Sequence, residues 1–483
     1  MTRPTNLLVI MSDEHDPRWM GASGNKLVQT PNLDKLAVRG TRFSDAYTTC
    51  PICVPARAAF ATGRYINQIG YWDNADAYEG AIPSWHHVLR KAGHHVASVG
   101  KLHFRGLKGD DHGFSEEIIP MNVLDGKGDL YGLLRGENMP VRTDGKKMAG
   151  LAGPGESEYT WYDREITARA QVWLREEAPR HGDKPWVLYV SMVAPHFPLK
   201  APPHWYYRYY GKTPEPKLYG PNERLPHPAD RDQSENTGYD SHFDAAAVKR
   251  ARAGYLGLVS SLDENIGHLL NTLGDCGYAG TTRVLYTSDH GDNLGARGLW
   301  GKQILYQEAA AVPLILAGPG VPEGQVRSAA ASHIDVYPTV LECVGSDAAP
   351  GQGVSLFRMA GGEAPKRNVL SEYHASSAKS GEYMIRHGRW KYTYHVHYPD
   401  RPQLFDLASD PEERNDLGTD PAHKAVAKDC EALLRGMLDP EDVDRRAKKR
   451  QQELVDANGG YDKVKKIGGF GYSPPPGYKA EFT

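Results

Sequence analysis

Five short apolar runs, Asn6 to Met11, His95 to Val99, Trp186 to Val193, Thr282 to Ser288 and Val312 to Ala317, are separated by long stretches in which apolar residues recur at helical spacing. That alternation restricts the chain to an α/β fold, a large, mostly parallel mixed sheet sandwiched by helices. Parallel strands need a helical crossover, and strands buried on both faces read as unbroken apolar runs. Crossover helices are expected at Asn32 to Arg39, Pro55 to Ala61, Ser84 to Ala92, Trp161 to Glu177 and about Ala245 to Leu273, where Ala253, Leu256, Val259, Leu262, Ile266 and Leu269 keep the helical interval.

Residues 108–158 and 200–241 are rich in Gly, Pro, charge and aromatics and read as excursions from the sheet, of the kind that builds the rim of a site. From Glu382 the pattern changes: Tyr383 to Tyr394 reads as a hairpin turning at His387-Gly388, Gln403 to Leu407 as a further strand, and Ala422 to Met437 as a helix. The expected organisation is a main α/β domain over 1–375, a smaller antiparallel-sheet-plus-helix subdomain over 376–457 and an extended tail over 458–483.

A net charge of −3 over 483 residues leaves no basic field, which argues against nucleic acid as a partner. The one basic block, Arg445 to Arg450, reads as a solvated helix face. Five cysteines do not make a disulfide framework and fit a reducing compartment. The chain passes from Met1-Thr2-Arg3-Pro4-Thr5 straight into its first strand, and no apolar run reaches membrane-spanning length. A cytoplasmic protein that engages no membrane is expected.

In sheets of this kind chemistry collects just past the carboxyl ends of strands. There the chain places Ser12-Asp13-Glu14-His15 and Ser288-Asp289-His290-Gly291-Asp292. Such acidic residues can be turn formers and helix caps. Carboxylates at the tips of two buried strands also repel unless a cation lies between them, so a divalent metal is the simplest reading. Two other strands run into Gly100-Lys101-Leu102-His103 and Ala194-Pro195-His196-Phe197-Pro198. With twenty histidines a lone one is usually structural, and position at a strand end singles out His103 and His196.

The run Cys53-Val54-Pro55-Ala56-Arg57 leads through a helix-compatible segment to Thr62-Gly63. Cys50-Pro51-Ile52-Cys53 is also a redox-type C-x-x-C, but no thioredoxin-like unit follows it, and only Cys53 has proline two residues on and arginine four residues on. The longer run resembles the signature C-x-P-x-R-x-x-x-x-T-G of the type I, formylglycine-dependent sulfatases of the alkaline phosphatase superfamily. The likeness extends to Lys302 in Gly298-Leu299-Trp300-Gly301-Lys302, and to the stretches Arg386 to Tyr392 and Gln403 to Glu412.

The resemblance implies an alkaline phosphatase-like fold and conversion of Cys53 to formylglycine (3-oxoalanine) by a formylglycine-generating enzyme. It implies one divalent ion held by Asp13, Glu14, Cys53, Asp289 and His290: calcium, with manganese or magnesium as alternatives because histidine softens the site. Glu14 and His290 stand where many relatives have Asp and Asn, a form resembling the choline sulfatase and phosphonate monoester hydrolase branches. The catalytic set implied is Cys53, Arg57, Lys101, His103, His196 and Lys302, with Asn74 beside the bound anion.

In the implied reaction one hydroxyl of the aldehyde hydrate attacks sulfur, Lys302 or His196 protonates the departing alcohol, and a covalent sulfo-enzyme is left. His103 as base then lets the second hydroxyl expel sulfate. The implied substrate is a small sulfate monoester, aryl sulfate or choline sulfate. Tyr71 to Ala75, Ile82 to Trp85 and Asp442 to Arg446 look like choline sulfatase. A cage for its ammonium could come from Tyr159, Trp161, Trp205, Tyr206, Tyr207, Tyr209 and Tyr210, whose other reading is ordinary packing. Two further readings stand beside this one: a phosphonate or phosphate ester hydrolase using the same site, and a non-catalytic binding protein should Cys53 stay unmodified. The tail, with Phe470, Tyr472, Tyr478 and Phe482 spaced by glycine and proline, is expected to dock on a neighbouring subunit in a homo-oligomer.

Overall fold

The first apolar run becomes the central strand, Asn6–Asp13, of an eight-stranded sheet in a computed structural model that describes residues 3–224, 226–349 and 351–482. It lies parallel to Val187–Pro195 on one side and Thr282–Ser288 on the other, with Leu8 opposite Leu188 and Val284. Its side chains alternate, as period two requires. Leu7, Val9 and Met11 enter one core and Leu8 and Ile10 the other, so a single strand serves both faces.

Across the sheet the strands run 325–327, 40–43, 314–317, 282–288, 6–13, 187–195, 96–101 and 116–121. Only Leu314–Ala317 is antiparallel to its neighbours, which makes the sheet mixed but mostly parallel. The helix Ala245–Asp275 packs against strand Val187–Pro195 and helix Glu158–Glu176.

Three strands carry no sequence signal of their own. Gly40–Phe43 and Gln325–Arg327 are too short to show a period. Glu116–Met121 lies inside the stretch expected to be an excursion; its glutamates and Pro120 suit the half-exposed sheet edge it forms. That stretch sends Val123, Asp129, Arg142, Asp144 and Met148 to the pocket described below, whereas 200–241 sends only Tyr239.

A separate antiparallel sheet runs 369–373, 382–387, 390–395, 403–406. It begins ahead of the boundary expected at 376, with Val369–Tyr373 paired antiparallel to Glu382–His387. The hairpin closes through Gly388 and Arg389, with Gly388 at φ 54°. In the helix Pro440–Ala457 the basic block is not wholly solvated. Ala447 is buried, Arg450 pairs with Asp76 at 2.9 Å, and Arg446 lies over Trp72 at 5.6 Å. That face grips the loop carrying Asn74. All five cysteines are free, and no helix among the described residues is long and apolar enough to cross a membrane.

Candidate active site

Strands 282–288, 6–13, 187–195 and 96–101 are adjacent and parallel, so their carboxyl ends open onto one place. Asp289 and His290, Asp13 and Glu14, His196, and Lys101 with His103 leave from those four ends in turn. Gly100 can exist there only as glycine: its φ is 102°, and a Cβ would stand 2.3 Å from Ser191 O. Glu14 and His103, at φ 70° and 54°, hold backbone conformations rare for residues with side chains. Glu14 is fixed at both ends, its N–H donating to Asp289 Oδ1 at 3.2 Å and its carbonyl accepting from Tyr255 Oη at 2.7 Å.

Cys53 opens the helix Cys53–Thr62, whose N-terminal residue of the cap, Ile52, offers no side-chain partner. Asn74 supplies one: its Oδ1 accepts the Val54 N–H at 3.1 Å. The positive end of the helix thus faces the strand tips with Cys53 at its first position. At the other end Gly63 terminates the helix at φ 65°, where a Cβ would meet Tyr337 at 2.6 Å. Arg57, one turn in, is buried beneath the site. Its guanidinium donates to Asp289 at 2.8 Å, Ser191 Oγ at 2.8 Å and Lys101 O at 2.9 Å, and reaches Asp13 at 3.5 Å. It ties all four strand ends to the Cys53 helix.

Asp13, Cys53, Asp289 and His290 offer ligand atoms that lie within 4.8 Å of one another. Cys53 Sγ stands 3.3 Å from His290 Nε2 and 3.8 Å from Asp13 Oδ1. His290 bonds Gly291 O through Nδ1 at 3.0 Å, which turns Nε2 toward the others as a ligating imidazole requires. Two carboxylates, an imidazole and the residue at 53 fit one divalent cation. Glu14 stands apart from this set. Its carboxylate faces His196 Nε2 at 3.6 Å and Lys302 Nζ at 3.4 Å, in a second group with Asp13 and His196. Asp13 belongs to both groups, and cations lie against each: Lys302 on Glu14 and Cys53, Lys101 in close contact with Asp13 Oδ2, and Arg57 on Asp289.

The charges at the floor oppose one another strongly. Burial works to raise Asp13, but Lys101, Lys302 and Arg57 outweigh it and hold its carboxyl well below the usual range. Burial pushes Glu14 up to about 7, with Lys302 working against the rise. Burial also pushes the Cys53 thiol up to about 12, aided by Asp13 and opposed by Lys302 and Lys101. His103 and His196 are held well below an ordinary imidazole, first by burial and then by neighbouring lysines, so both are neutral. Lys302 is held well above its ordinary value: burial disfavours its charge, but Cys53, Glu14 and Asp13 more than restore it.

The pocket over this floor is lined by Glu14, Cys53, Asn74, His103, His196 and Lys302, so six of the residues singled out from sequence share it. Lys302 Nζ approaches Cys53 Sγ to 3.2 Å. Asp13, Arg57, Lys101, Asp289 and His290 lie beneath, wholly buried. The aromatic cage candidates do not line it. Tyr206 and Tyr209 pack in the core, Trp161, Tyr207 and Tyr210 are exposed, and Tyr159 comes within 5.7 Å of His196 only from behind the wall.

Other residues, which sequence patterns did not reveal, complete the wall: Asp129, Arg142 and Asp144 from one insertion, Tyr239 from the other, Gln303 and Ser376. The tail contributes as well, within the same chain. Tyr472 packs edge-on against Tyr159 at 5.1 Å and Phe197 at 5.2 Å, and Ser473 O accepts from Tyr159 Oη at 2.7 Å. The aromatic spacing of the tail was a signal that it binds something, but not that it folds back on its own pocket.

A cationic, carboxylate-rich pocket at the strand ends of such a sheet, with a buried nucleophile position at a helix N-terminus, defines a hydrolase of charged esters. The sulfatase family model matches residues 5–346, and the chain belongs to the sulfatase family of sulfuric ester hydrolases. A second model, for the C-terminal region of N-sulphoglucosamine sulphohydrolase, matches residues 295–439. Choline-sulfatase of Rhizobium meliloti (strain 1021) is 34% identical over 443 residues, covering 87% of this chain and 83% of that protein. Arylsulfatase K of Danio rerio is 29% identical over 460 residues, covering 90% and 84%. Among solved structures, the phosphonate monoester hydrolase of Agrobacterium radiobacter superposes with a TM-score of 0.71 at 21% identity, covering 89% of this chain and 95% of that one. A protein solved in complex with its substrate D-glucosamine-2-N,6-O-disulfate gives 0.71 at 23%, covering 92% and 99%. At such identities the two structures bear on the fold alone.

Proposed function

We propose that the chain hydrolyses small sulfate monoesters, aryl or choline sulfate, through a formylglycine made from Cys53 by a formylglycine-generating enzyme. One observation carries this reading: Cys53, the first residue of its helix, stands at the floor of the pocket with Sγ 3.2 Å from Lys302 Nζ and 3.3 Å from His290 Nε2. An aldehyde at this place takes up water to give a hydrate whose hydroxyl can attack without a thiolate. A divalent cation held by Asp13, Asp289, His290 and the residue at 53, calcium or else manganese or magnesium, supplies charge neutralisation to the ester oxygens.

The remaining work falls to side chains. Lys302 stays protonated and can donate to the leaving alcohol; His196 bonds Phe197 O through Nδ1 at 2.6 Å and presents Nε2 to the site. His103 is neutral and buried, and neither ring nitrogen has a partner, so it is free to take a proton from the nucleophile. Asn74, anchored through Oδ1, has its amide nitrogen left for an anion oxygen. The free cysteines suit a reducing compartment, the cytoplasm in this reading.

The test is intact-mass measurement of the Cys53 peptide after expression with the maturating enzyme, together with kcat/KM for choline sulfate, an aryl sulfate and a phosphonate monoester. Conversion of the thiol and preference for a sulfate are expected. An unconverted thiol in an active enzyme would refute the mechanism, and better phosphonate turnover would refute the substrate class.

A further inference from the structure

We infer that Gln451, on the helix Pro440–Ala457, is a positioning residue for Asn74, setting the amide that holds the anionic group of the substrate; the inference rests on the reading of Asn74 given above. The helix buries a stripe of residues one turn apart, Val443, Ala447, Gln451 and Val455. Three of them are apolar. Gln451 is 2% exposed, so its amide depends on bonds within the protein. Its Nε2 donates to Asp73 Oδ2 at 2.8 Å and to the His374 carbonyl at 2.7 Å, whereas Oε1 has no partner. Two acceptors on one nitrogen fix which end of the amide faces them, and Gln451 acts as a donor alone.

Asp73 carries that bond into the turn. Its other oxygen, Oδ1, accepts the Ala75 N–H at 2.8 Å, so the carboxylate closes a ring around the residue between, Asn74. Asn74 is held from two further sides: its carbonyl accepts the Asp129 N–H at 3.1 Å and its Oδ1 accepts the Val54 N–H at 3.1 Å. With backbone and Oδ1 fixed, the direction of Nδ2 follows, in a residue that lines the pocket beside Cys53. The same helix holds the neighbours of Asn74. Arg450 meets the Asp76 carboxylate at 2.9 and 3.1 Å, and Val455 shares a small apolar cluster with Ala75.

The Asp73 bond is the one whose loss matters. Without Gln451 the His374 carbonyl keeps a donor, Arg135 Nη1, but Asp73 has no other side-chain partner among the described residues. Burial already pushes the Asp73 carboxyl up to about 7, Asp76 adds to the rise, and Gln451 does the most to oppose it. A buried carboxyl that loses its donor must ionise unpaired, take up a proton or turn away, and each of these loosens the ring around Asn74. The anion site is thereby tied to a helix more than 350 positions further along the chain, roughly the separation of Asp73 from Gln451.

The experiment measures KM and kcat for 4-nitrophenyl sulfate, and Kd for inorganic sulfate by calorimetry, in the mature enzyme and in its Gln451→Met, Asn74→Ala and doubly substituted variants. Methionine keeps the length of the side chain and lacks the donor. Gln451→Met is expected to raise KM and Kd together by roughly tenfold, within the range over which residues of one hydrogen-bond network couple, with a smaller change in kcat. In the Asn74→Ala background the same substitution should move either constant by no more than about twofold, because the amide it positions is gone. Arg450→Gln, at the half-exposed end of the grip, should act the same way by a smaller factor, and it decides the matter if Gln451→Met does not fold. Equal losses with and without Asn74, or a lower Tm with KM and Kd unchanged, would overturn the positioning role. An Asn74→Ala enzyme that binds sulfate as wild type does would overturn the reading of Asn74 and the inference with it. No turnover by the mature wild type would overturn the sulfatase reading instead, and the Kd values would still decide the role of Gln451.

Discussion

The floor and the wall of the pocket are built on opposite principles. The floor groups Asp13, Arg57, Lys101, Asp289 and His290 are entirely buried, lie at strand tips or on one helix, and answer one another's charge. The wall comes from two insertions, a loop and the tail, and keeps unsatisfied atoms on Arg142 and Gln303. A rigid floor suits a step common to every substrate, the handling of the sulfate group. A wall of irregular segments suits the part of the substrate that differs, and it can vary without disturbing the sheet.

If that division holds, a floor variant should damage all substrates alike. Arg57→Ala offers the largest expected effect. It removes the partner of Asp289 and the donor to Ser191 and the Lys101 carbonyl, leaving buried carboxylate charge uncompensated. Breaking such a buried pair costs about 3–5 kcal/mol, and loss of one preorganised donor group lowers kcat by on the order of 10²–10³. Urea melts and steady-state kinetics on two esters would check both. A loss confined to one ester would break the comparison.

The same division explains what the sequence made legible. Each floor residue lies within two positions of a strand end or in the contiguous run from Cys53 to Gly63, so apolar periodicity and a motif suffice to find it. Glu14 marks the limit. Sequence places it beside Asp13, but a left-handed backbone at φ 70° turns its carboxylate to Lys302 and His196. Direction at a single residue follows from packing and not from order in the chain. Arg57 was legible as a helper of Cys53, yet its place beneath four strand ends needed the sheet order. Arg142, Gln303 and Tyr472 belong to segments without periodicity that meet only in three dimensions, and the short strands 40–43 and 325–327 gain their identity from their neighbours.

A wall variant should act on binding rather than on the fold. Tyr472→Ala removes edge-on contacts with Tyr159 and Phe197, each worth about 0.5–1.5 kcal/mol beyond simple burial. Because the tail closes the pocket from outside the sheet, a several-fold rise in KM is expected, with a smaller change in kcat and little change in Tm. A fall in kcat at constant KM would assign Tyr472 to the floor's work.

The smallest effect sharpens the contrast at the level of single carboxyls. Asp13 and Asp230 are both buried, but Asp13 is held down by cations, whereas burial pushes Asp230 up to about 7 against little more than a bond to Tyr306 Oη at 2.8 Å and the more distant charge of Arg297. Asp230 lies on the helix Pro228–Thr237, which also carries Gln233, donor to the Lys302 carbonyl at 3.0 Å. Its proton is retained in the folded chain and lost in the unfolded one between about pH 4 and 7. The folded state binds the extra proton there, so this group's stabilising contribution is full below pH 4 and declines as pH rises through 7. Asp230→Asn cannot titrate. Its stability relative to wild type should therefore climb across that window, by at most a few kcal/mol, in paired denaturant melts at pH 4.5, 6 and 8. A difference that does not change with pH would mean that Asp230 is ionised in the folded chain, compensated like Asp13, and that the wall's anchor follows the rule of the floor.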